Sequence, residues 1–192
     1  MDDDRTLVSR YQAGDKTAFD ELVRRHSGHA YQVAFGVLGN REDAEEVASD
    51  TFIRIQRALP QFRGESEFTT WMYRIALNLA RNKYRWNKVR GSQVNVSYNA
   101  PIPGNDNGDD ELHFDAPDAG LPPDQSASFR ELEHNLMSEL QQLPEVYREA
   151  LVMRNIQGMS YEEIAEVLDL KIGTVKSRIA RAREELRKRL EL

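Results

Sequence analysis

The amino-acid sequence predicts an all-α fold, in which two small helical domains are joined by a flexible acidic linker. Apolar residues recur every three or four positions on both sides of the chain centre, as they do along one face of a helix. No segment shows the convincing alternation of apolar and polar residues that a half-buried strand needs. Five of the seven prolines fall in the central stretch, which marks it as a linker. The predicted divisions are residues 1–90, 91–126 and 127–192.

Composition excludes several classes of protein. The chain has 192 residues, a formal net charge of -6 and no cysteine, so disulfide frameworks and thiol nucleophiles are excluded. No apolar run approaches the roughly 18 residues that a membrane-spanning helix needs. The acidic first residues lack the features of a signal peptide. These observations predict a cytoplasmic protein without stable membrane insertion.

Three helices are predicted in the N-terminal domain, over residues 19–37, 44–59 and 68–79. Asp15 suits the N-cap of the first helix, and Gly39 suits its end. Pro60 ends the second helix, because a proline inside a helix removes a backbone hydrogen bond and clashes with the preceding turn.

The linker carries charge of one sign. Between Arg90 and Arg130 there is no lysine or arginine. Its seven acids are Asp106, Asp109, Asp110, Glu111, Asp115, Asp118 and Asp124. Two interpretations explain this composition, a plain spacer and a functional acidic arm that competes with nucleic acid.

Four shorter helices are predicted in the C-terminal domain, over residues 127–143, 145–156, 161–168 and 172–190. Pro144, Gly158 and the turn at 169–171 separate them. Ser160 and Glu163 have the spacing of a capping box, in which each side chain bonds the other residue's backbone N–H. This pair fixes the start of the third helix.

The last two helices have the pattern of a helix-turn-helix, with apolar stripes that face each other across a three-residue turn. The side of the second helix opposite its stripe carries Thr174, Ser177 and Arg181, flanked by Lys176, Arg178 and Arg183. From residue 171 onward there are eight lysines or arginines against three acids. That concentration is typical of a helix that reads duplex DNA in the major groove. The alternative is a solvated basic face on an ordinary helical hairpin.

A second basic segment, residues 72–90, has six lysines or arginines and no acid. The candidate nucleic-acid ligands on and beside it are Trp71, Arg74, Asn78, Arg81, Asn82 and Arg85. A short loop before it holds Phe62, Arg63 and Gly64, which suit the wall of a pocket. Cations interleaved with aromatic rings and amides indicate a surface for separated strands. The alternative is that Trp71 and Tyr73 belong to the core and the cations only solubilise the helix.

An acidic segment, residues 40–50, holds five acids against one arginine. Asp50, Arg54 and the exposed edge of Val47 form a candidate docking surface for a basic or helical partner. Acids in the first turn of a helix are also expected from the helix dipole alone, so both interpretations stay open.

Two sets of motifs resemble bacterial RNA polymerase sigma factors of the extracytoplasmic-function (ECF) branch. Region 2 of that family is matched by DAEEV at 43–47, TFIR at 51–54, ALPQFRGES at 58–66 and FTTWMYRIA at 68–76. Region 4 is matched by LP at 143–144, YEEIA at 161–165 and GTVKSRIARAR at 173–183. The resemblance covers both helical domains, and two long motifs in the right order make it specific.

The resemblance implies a transcription initiation factor without catalytic residues, metal or cofactor. Such a protein binds core RNA polymerase, at the β′ coiled coil and the β flap, and directs it to promoter DNA. The residues implied at the β′ coiled coil are Asp43, Val47, Asp50, Thr51 and Arg54. Those implied at the minus-ten element, with a base flipped out, are Phe62, Arg63, Gly64, Trp71, Arg74, Asn78, Arg81, Asn82 and Arg85. Those implied at the minus-thirty-five element are Thr174, Lys176, Ser177, Arg178, Arg181 and Arg183. The family also implies an anti-sigma factor as a partner.

Two rival functions compete with this one. A conventional transcriptional regulator uses the same helix-turn-helix, but it leaves the basic aromatic helix unexplained. An enzyme is disfavoured because the sequence shows no glycine-rich phosphate loop, nucleophile elbow or paired-carboxylate site. His26 and His29 are three residues apart, but His26 lies on the apolar stripe and no third metal ligand is near.

Overall fold

A computed structural model describes residues 2–90 and 135–190 of the protein, and these two stretches contain helices and no strand. The all-α prediction is therefore confirmed. The predicted linker at 91–126 lies outside the described residues, and the three divisions of the chain stay predictions. The helices are α1 (Asp4–Gln12), α2 (Thr17–Leu38), α3 (Arg41–Ala58), α4 (Phe68–Val89), α5 (135–142 in the described part), α6 (Glu145–Asn155), α7 (Tyr161–Leu168) and α8 (Ile172–Arg189), with a 3-10 turn at Leu59–Gln61.

Helix α1 was not predicted from the sequence. Asp3 caps it, because its carboxylate accepts the backbone N–H of Thr6 at 2.8 Å. Only Leu7 and Val8 are buried in this nine-residue helix. Two adjacent apolar residues give no helical period, so the pattern that revealed the other helices was missing here.

Helix α2 is the central element of the N-terminal half and packs against α1, α3 and α4. It ends at Gly39, whose left-handed φ of 67° closes the last turn, as predicted. Its N-cap is Lys16 and not Asp15, so the predicted cap was one residue early. The Asp15 carboxylate still contributes to the N-terminus of α2, because it accepts a hydrogen bond from the backbone N–H of Thr17 at 3.0 Å.

Helices α6, α7 and α8 pack together in the C-terminal half. Both bonds of the predicted capping box are present, since the Glu163 N–H donates to Ser160 Oγ and the Ser160 N–H donates to a Glu163 oxygen. Asp169, at a φ of 54°, then ends α7 and turns the chain into α8. Helix α8 buries Val175, Ile179 and Ala182 against its neighbours. The predicted helix-turn-helix is confirmed over Tyr161–Arg189.

The two halves of the chain are in contact. Helix α6 lies on α2, and α7 lies on α4. The apolar core is continuous across this contact, so that Ala150 and Met153 of α6 belong to the same cluster as Leu22 and Val33 of α2.

Candidate nucleic-acid interface

Helix α4 separates an apolar face from a polar one. Its buried residues include Met72, Leu77 and Ala80, which hold the helix against α2 and α3. Asn78 and Asn82 are exposed, one turn apart on the same side of the helix. Each carries both a hydrogen-bond donor and an acceptor, so this side of α4 can read base edges.

Trp71 is half-buried, which lies between the two interpretations that the sequence left open. Its ring stacks on Phe62, with centroids 4.5 Å apart and planes tilted by 28°. The rings of Phe68 and Trp71 are in edge-to-face contact, with centroids 6.2 Å apart. The aromatic pair Phe62–Trp71 is therefore fixed to the loop in front of α4, where a stacked base would find a preformed flat surface.

A cavity of about 340 Å³ lies between α1 and the loop that leads into α4. Its lining residues are Arg5, Val8, Ser9, Gln12, Phe62, Arg63, Gly64, Ser66, Glu67 and Phe68. Gln12 holds the loop in place, because its amide donates to the backbone carbonyl oxygens of Leu59 at 3.0 Å and Phe62 at 2.9 Å. Gly64 has a φ of 70° and open space around its Cα, so the loop backbone is accessible there.

Sequence reasoning predicted one wall of this cavity and missed the other. The contribution of Arg5, Ser9 and Gln12 depends on α1, which showed no periodic signal.

The three predicted arginines of α4 all face the C-terminal half. Arg81 pairs with Glu149 of α6 through both of its oxygens, with 2.7 Å between Nη2 and Oε2. Arg74 donates two hydrogen bonds to the backbone carbonyl of Glu166 in α7, at 3.0 and 2.7 Å. Arg85 lies 3.7 Å from the carboxylate of Glu145. The hydrogen bonds that Arg81 donates to Glu149 raise the pKa of Arg81 above its ordinary value.

Helix α8 presents its predicted DNA-reading side to the surrounding solvent. Lys176, Ser177 and Arg181 are exposed, and Thr174 and Arg178 are half-buried. Arg183 is exposed but donates to Asn155 Oδ1 at 3.1 Å, so it also ties α8 to the end of α6. The exposed set lies over the first three turns of the helix, which is the part that enters the major groove in helix-turn-helix proteins.

The predicted docking surface on α3 needs a correction. Val47 is 3% exposed and Thr51 is fully buried, so the expected exposed edge of Val47 is wrong. Thr51 donates its hydroxyl to the Val47 carbonyl at 2.7 Å, and both residues serve packing inside the helix bundle.

The exposed part of this α3 surface consists of Asp50, Ile53 and Arg54. The sequence analysis did not predict Ile53 as part of this surface. In the structure 46% of this large apolar residue is exposed. Asp43 is half-buried and accepts a hydrogen bond from Asn87 at 2.7 Å, so it connects α3 with α4.

Comparisons with known proteins agree with this geometry. The model of sigma-70 region 2 matches residues 22–89, and that of sigma-70 region 4 matches residues 133–186. The RNA polymerase sigma-H factor of Pseudomonas aeruginosa is 37% identical over 100% of this chain and 95% of its own length. The ECF RNA polymerase sigma-E factor of Haemophilus influenzae is 36% identical over 98% of this chain and 95% of its own.

The chain belongs to the ECF sigma factors. As a member of this family it binds core RNA polymerase, directs it to promoters and initiates transcription, and it is not an enzyme. The rival interpretation as a conventional regulator is therefore excluded.

Solved structures show the same fold. The structure of CnrH in complex with the cytosolic domain of CnrY matches this sigma factor with a TM-score of 0.70 and 28% identity, over 99% of this chain and 98% of that one. The sigma factor RpoE of Bartonella quintana, in complex with the anti-sigma factor NepR, matches with a TM-score of 0.62 at 22% identity, over 91% and 97% of the two chains.

The described residues of the sigma factor lack two further features. Within 2–90 and 135–190, no helix is both long and apolar enough to span a membrane. The same residues contain no cluster of three or more histidines or carboxylates with the geometry of a metal site.

Proposed function

We propose that this ECF sigma factor divides promoter recognition between α4 and α8. The domain of residues 1–90 holds the melted minus-ten element, and that of residues 127–192 reads the minus-thirty-five element as duplex. The observation that carries the proposal is the position of Asn78 and Asn82, which are exposed on a helix whose opposite face is locked in the core. Amides on a rigid helix, beside stacked aromatic rings, suit bases that have left the duplex.

The cavity beside α4 is the proposed site for a flipped base. Arg63 is exposed at its rim and would pair with a phosphate, and Gly64 leaves room for the nucleotide backbone. The Phe62–Trp71 pair offers the stacking surface. Extruding a base costs a few kcal/mol, which a preformed pocket and stacking surface offset.

Helix α8 is the proposed reader of the upstream element. Ser177 and Arg181 face base edges, and Lys176 and Arg178 neutralise phosphates. Thr174 lies in the same first turns, and Arg183 continues the basic side. These cations carry the salt-dependent part of the affinity.

The exposed α3 surface is the proposed docking site for the β′ coiled coil of core RNA polymerase. Asp50, Ile53 and Arg54 place a carboxylate, an apolar side chain and a cation on one side of the helix. A mixed surface of this kind fits an amphipathic coiled coil. The β flap is the proposed contact of the C-terminal domain.

An anti-sigma factor is the proposed regulatory partner, and the cytoplasm the proposed location. CnrH, which matches nearly the whole chain, binds the cytosolic domain of CnrY. A sigma factor with the same fold and 28% identity would meet such a partner in the same compartment.

Run-off transcription with core polymerase over a promoter library tests the division of labour. Asn78→Ala should impair strand opening while polymerase binding stays intact. Arg181→Ala should relax choice at one upstream position by about 1–3 kcal/mol, since it removes a base contact. The matched controls are Gln142→Ala, an exposed amide on α5, and Arg187→Ala, an exposed cation in the last turns of α8.

The proposal fails if Asn78→Ala opens promoters normally, or if Arg181→Ala and Arg187→Ala have the same promoter preference. It also fails if the free protein binds promoter duplex at moderate salt as tightly as the holoenzyme does.

A further inference from the structure

We propose that helix α1 selects the base that enters the cavity beside α4, and that it favours a base with an amino group over thymine. The proposal rests on the base-binding role proposed for this cavity. Its starting point is that Ser9 and Gln12 line the cavity from α1, and that both side chains already use their hydrogen-bond donors within the protein. What this wall offers a ligand is therefore a pair of acceptors.

The amide of Gln12 is oriented by the loop that it contacts. Its nitrogen Nε2 donates to the backbone carbonyl oxygens of Leu59 at 3.0 Å and Phe62 at 2.9 Å. An amide nitrogen carries two hydrogens, so these two bonds use both of its donors. The amide oxygen Oε1 can only accept, and it is the polar atom of Gln12 that is left for a ligand in the cavity.

The hydroxyl of Ser9 is oriented by its own helix. Oγ donates to the backbone carbonyl oxygen of Arg5, one turn earlier, at 3.0 Å. This bond uses the single hydrogen of the hydroxyl, and the lone pairs of Oγ stay available as acceptors. Because Ser9 lies three residues before Gln12, the two acceptors are neighbours on the same side of α1.

Helix α1 is held firmly enough for its acceptors to discriminate between bases. Leu7 and Val8 are buried in the core of the N-terminal half. The Asp4 carboxylate lies 2.7 Å from Nε2 of His26 in α2, which fixes the first turn. Specificity requires polar groups that keep their position when the ligand changes, and a packed helix meets this requirement better than a free loop does.

The acceptors distinguish the bases by the donors on the base edge. A flipped base is read on the edge that pairs in the duplex. On that edge adenine, cytosine and guanine carry an amino group, whereas thymine presents two carbonyl oxygens around one N–H. An amino group donates to Ser9 or Gln12. A thymine carbonyl would face these acceptors without a hydrogen between them and leave them unpaired, which is costly inside a cavity.

Cytosine and uracil give the sharpest comparison. They have the same size and ring shape, and uracil presents the same hydrogen-bonding edge as thymine. We expect the site to prefer cytosine over uracil by about tenfold, which is within the range of one good pair of base contacts. Shape and stacking contribute little to this ratio, because they are nearly equal for the two bases.

The first experiment locates the position that the cavity reads. Holoenzyme of core polymerase with the unchanged protein, or with its Ser9→Ala variant, transcribes from promoters whose minus-ten segment is randomised. Ser9→Ala removes one acceptor at an exposed position and favours the helix, so folding should be kept. Base preference should weaken at one position and stay unchanged at its neighbours, which serve as internal controls.

The second experiment measures the base ratio at that position. A fluorescent fork-junction DNA has a double-stranded upstream part and a single-stranded minus-ten segment, so the stability of the duplex does not enter the ratio. The unchanged holoenzyme should bind the cytosine form about ten times more tightly than the uracil form. With Ser9→Ala the ratio should fall to about threefold, since one of two acceptors is gone.

Gln12→Met tests the other acceptor and the anchoring of the loop together. Methionine has a similar length but lacks the two donors and the carbonyl oxygen. The cytosine preference should fall, and trypsin should cleave after Arg63 in the free full-length protein about five times faster, because the loop has lost two hydrogen bonds. Gln142→Met makes the same change at an exposed position of α5 and should alter neither value. An unchanged cleavage rate in Gln12→Met would show that Gln12 does not hold the loop.

Arg63→Ala separates this proposal from the one on which it rests. It removes an exposed cation at the rim of the cavity and should weaken binding of the cytosine and uracil forks equally. If Arg63→Ala binds both forks as tightly as the unchanged protein does, the base-binding role of the cavity fails. If Arg63→Ala weakens binding but the unchanged protein does not distinguish cytosine from uracil, or Ser9→Ala keeps the full preference, helix α1 does not select the base.

Discussion

Helices α4 and α8 have similar sequences in one respect and different surroundings. Both are basic, and both carry arginines at helical spacing on a polar side. On α4, Arg74 and Arg81 point at acceptors from the other half of the chain. On α8, Lys176 and Arg181 are exposed.

The difference shows that the presence of a basic stripe on a helix and its accessibility to a ligand are separate properties. The first follows from local sequence, and the second depends on what packs against the helix. If α8 reads duplex DNA as proposed, it can remain open, because duplex DNA is a weak, salt-dependent ligand until specific contacts form. If α4 holds melted strands as proposed, it has no ligand until polymerase opens the promoter, so contacts that cover it do not compete with DNA before that step.

Replacing Arg81 by alanine should have the largest effect on stability, and it tests directly whether the basic side of α4 is covered. It leaves Glu149 buried without its cation. Breaking a buried ion pair from one side costs about 3–5 kcal/mol, but we expect about 1.5 kcal/mol here, because Arg81 is itself partly exposed and Glu149 reaches water if the two halves separate. Urea unfolding of the full chain measures this value.

Arg181→Ala is the matched arginine variant on α8. Its side chain is exposed, so the free energy of unfolding should change by no more than about 0.5 kcal/mol. Equal losses in the two variants would show that the two basic faces are covered to the same extent.

Ser160→Ala should have an intermediate effect on stability, and it acts on α7, which contacts both α4 and α8. It removes one bond of the capping box and should cost about 1 kcal/mol in thermal unfolding at neutral pH. The backbone N–H of Ser160 lowers the pKa of Glu163 from 4.5. The stability that the ionised Glu163 adds is therefore present above pH 4.5 and is lost as the pH falls through the lowered pKa of Glu163.

A Ser160→Thr variant keeps the hydroxyl and is the control. If Ser160→Ala and Ser160→Thr melt at the same temperature, the cap does not stabilise α7.

His26 should produce the smallest effect, and one confined to the N-terminal half. Burial lowers its pKa below 6.5, against the attraction of Asp4, and His29 and Arg25 add to the lowering. Nε2 contacts an Asp4 oxygen at 2.7 Å, while buried Nδ1 has no partner that could accept a hydrogen bond from it once it is protonated. The folded protein therefore favours the neutral ring, and stability is lost as the pH falls from 6.5 through the lowered pKa.

Thermal unfolding between pH 7.5 and 5 should show this loss in the unchanged protein and less of it in His26→Gln. Equal pH slopes in the two proteins would contradict the assignment.

Much of the fold was readable because it follows from local rules. Periodic apolar residues located α2, α3 and α4, and the Ser160–Glu163 spacing fixed the start of α7. Helix α6 was expected to end at Ile156 and ends at Asn155, a difference within the usual fraying of helix ends. Periodicity placed Thr51 in the apolar run of α3, where it is buried, whereas the resemblance assigned the same residue to the polymerase contact.

The contact between the two halves left almost no trace in the sequence. Glu149 lies 68 residues from Arg81, and no local pattern relates them. Gly36 was the one available signal, since a glycine inside a helical pattern often marks a close approach of another element. Periodicity identifies which side of a helix is apolar, but it does not identify the partner that covers the other side.

The contact between the two halves joins two parts of a single polypeptide, and this has a consequence for how it can be regulated. Association between them is unimolecular, so lowering the protein concentration does not shift its equilibrium. Ionic strength does, because Arg74 and Arg85 contribute exposed charged contacts that salt screens, whereas the buried pair of Arg81 and Glu149 is screened much less. A molecule that holds one half away from the other would also shift it.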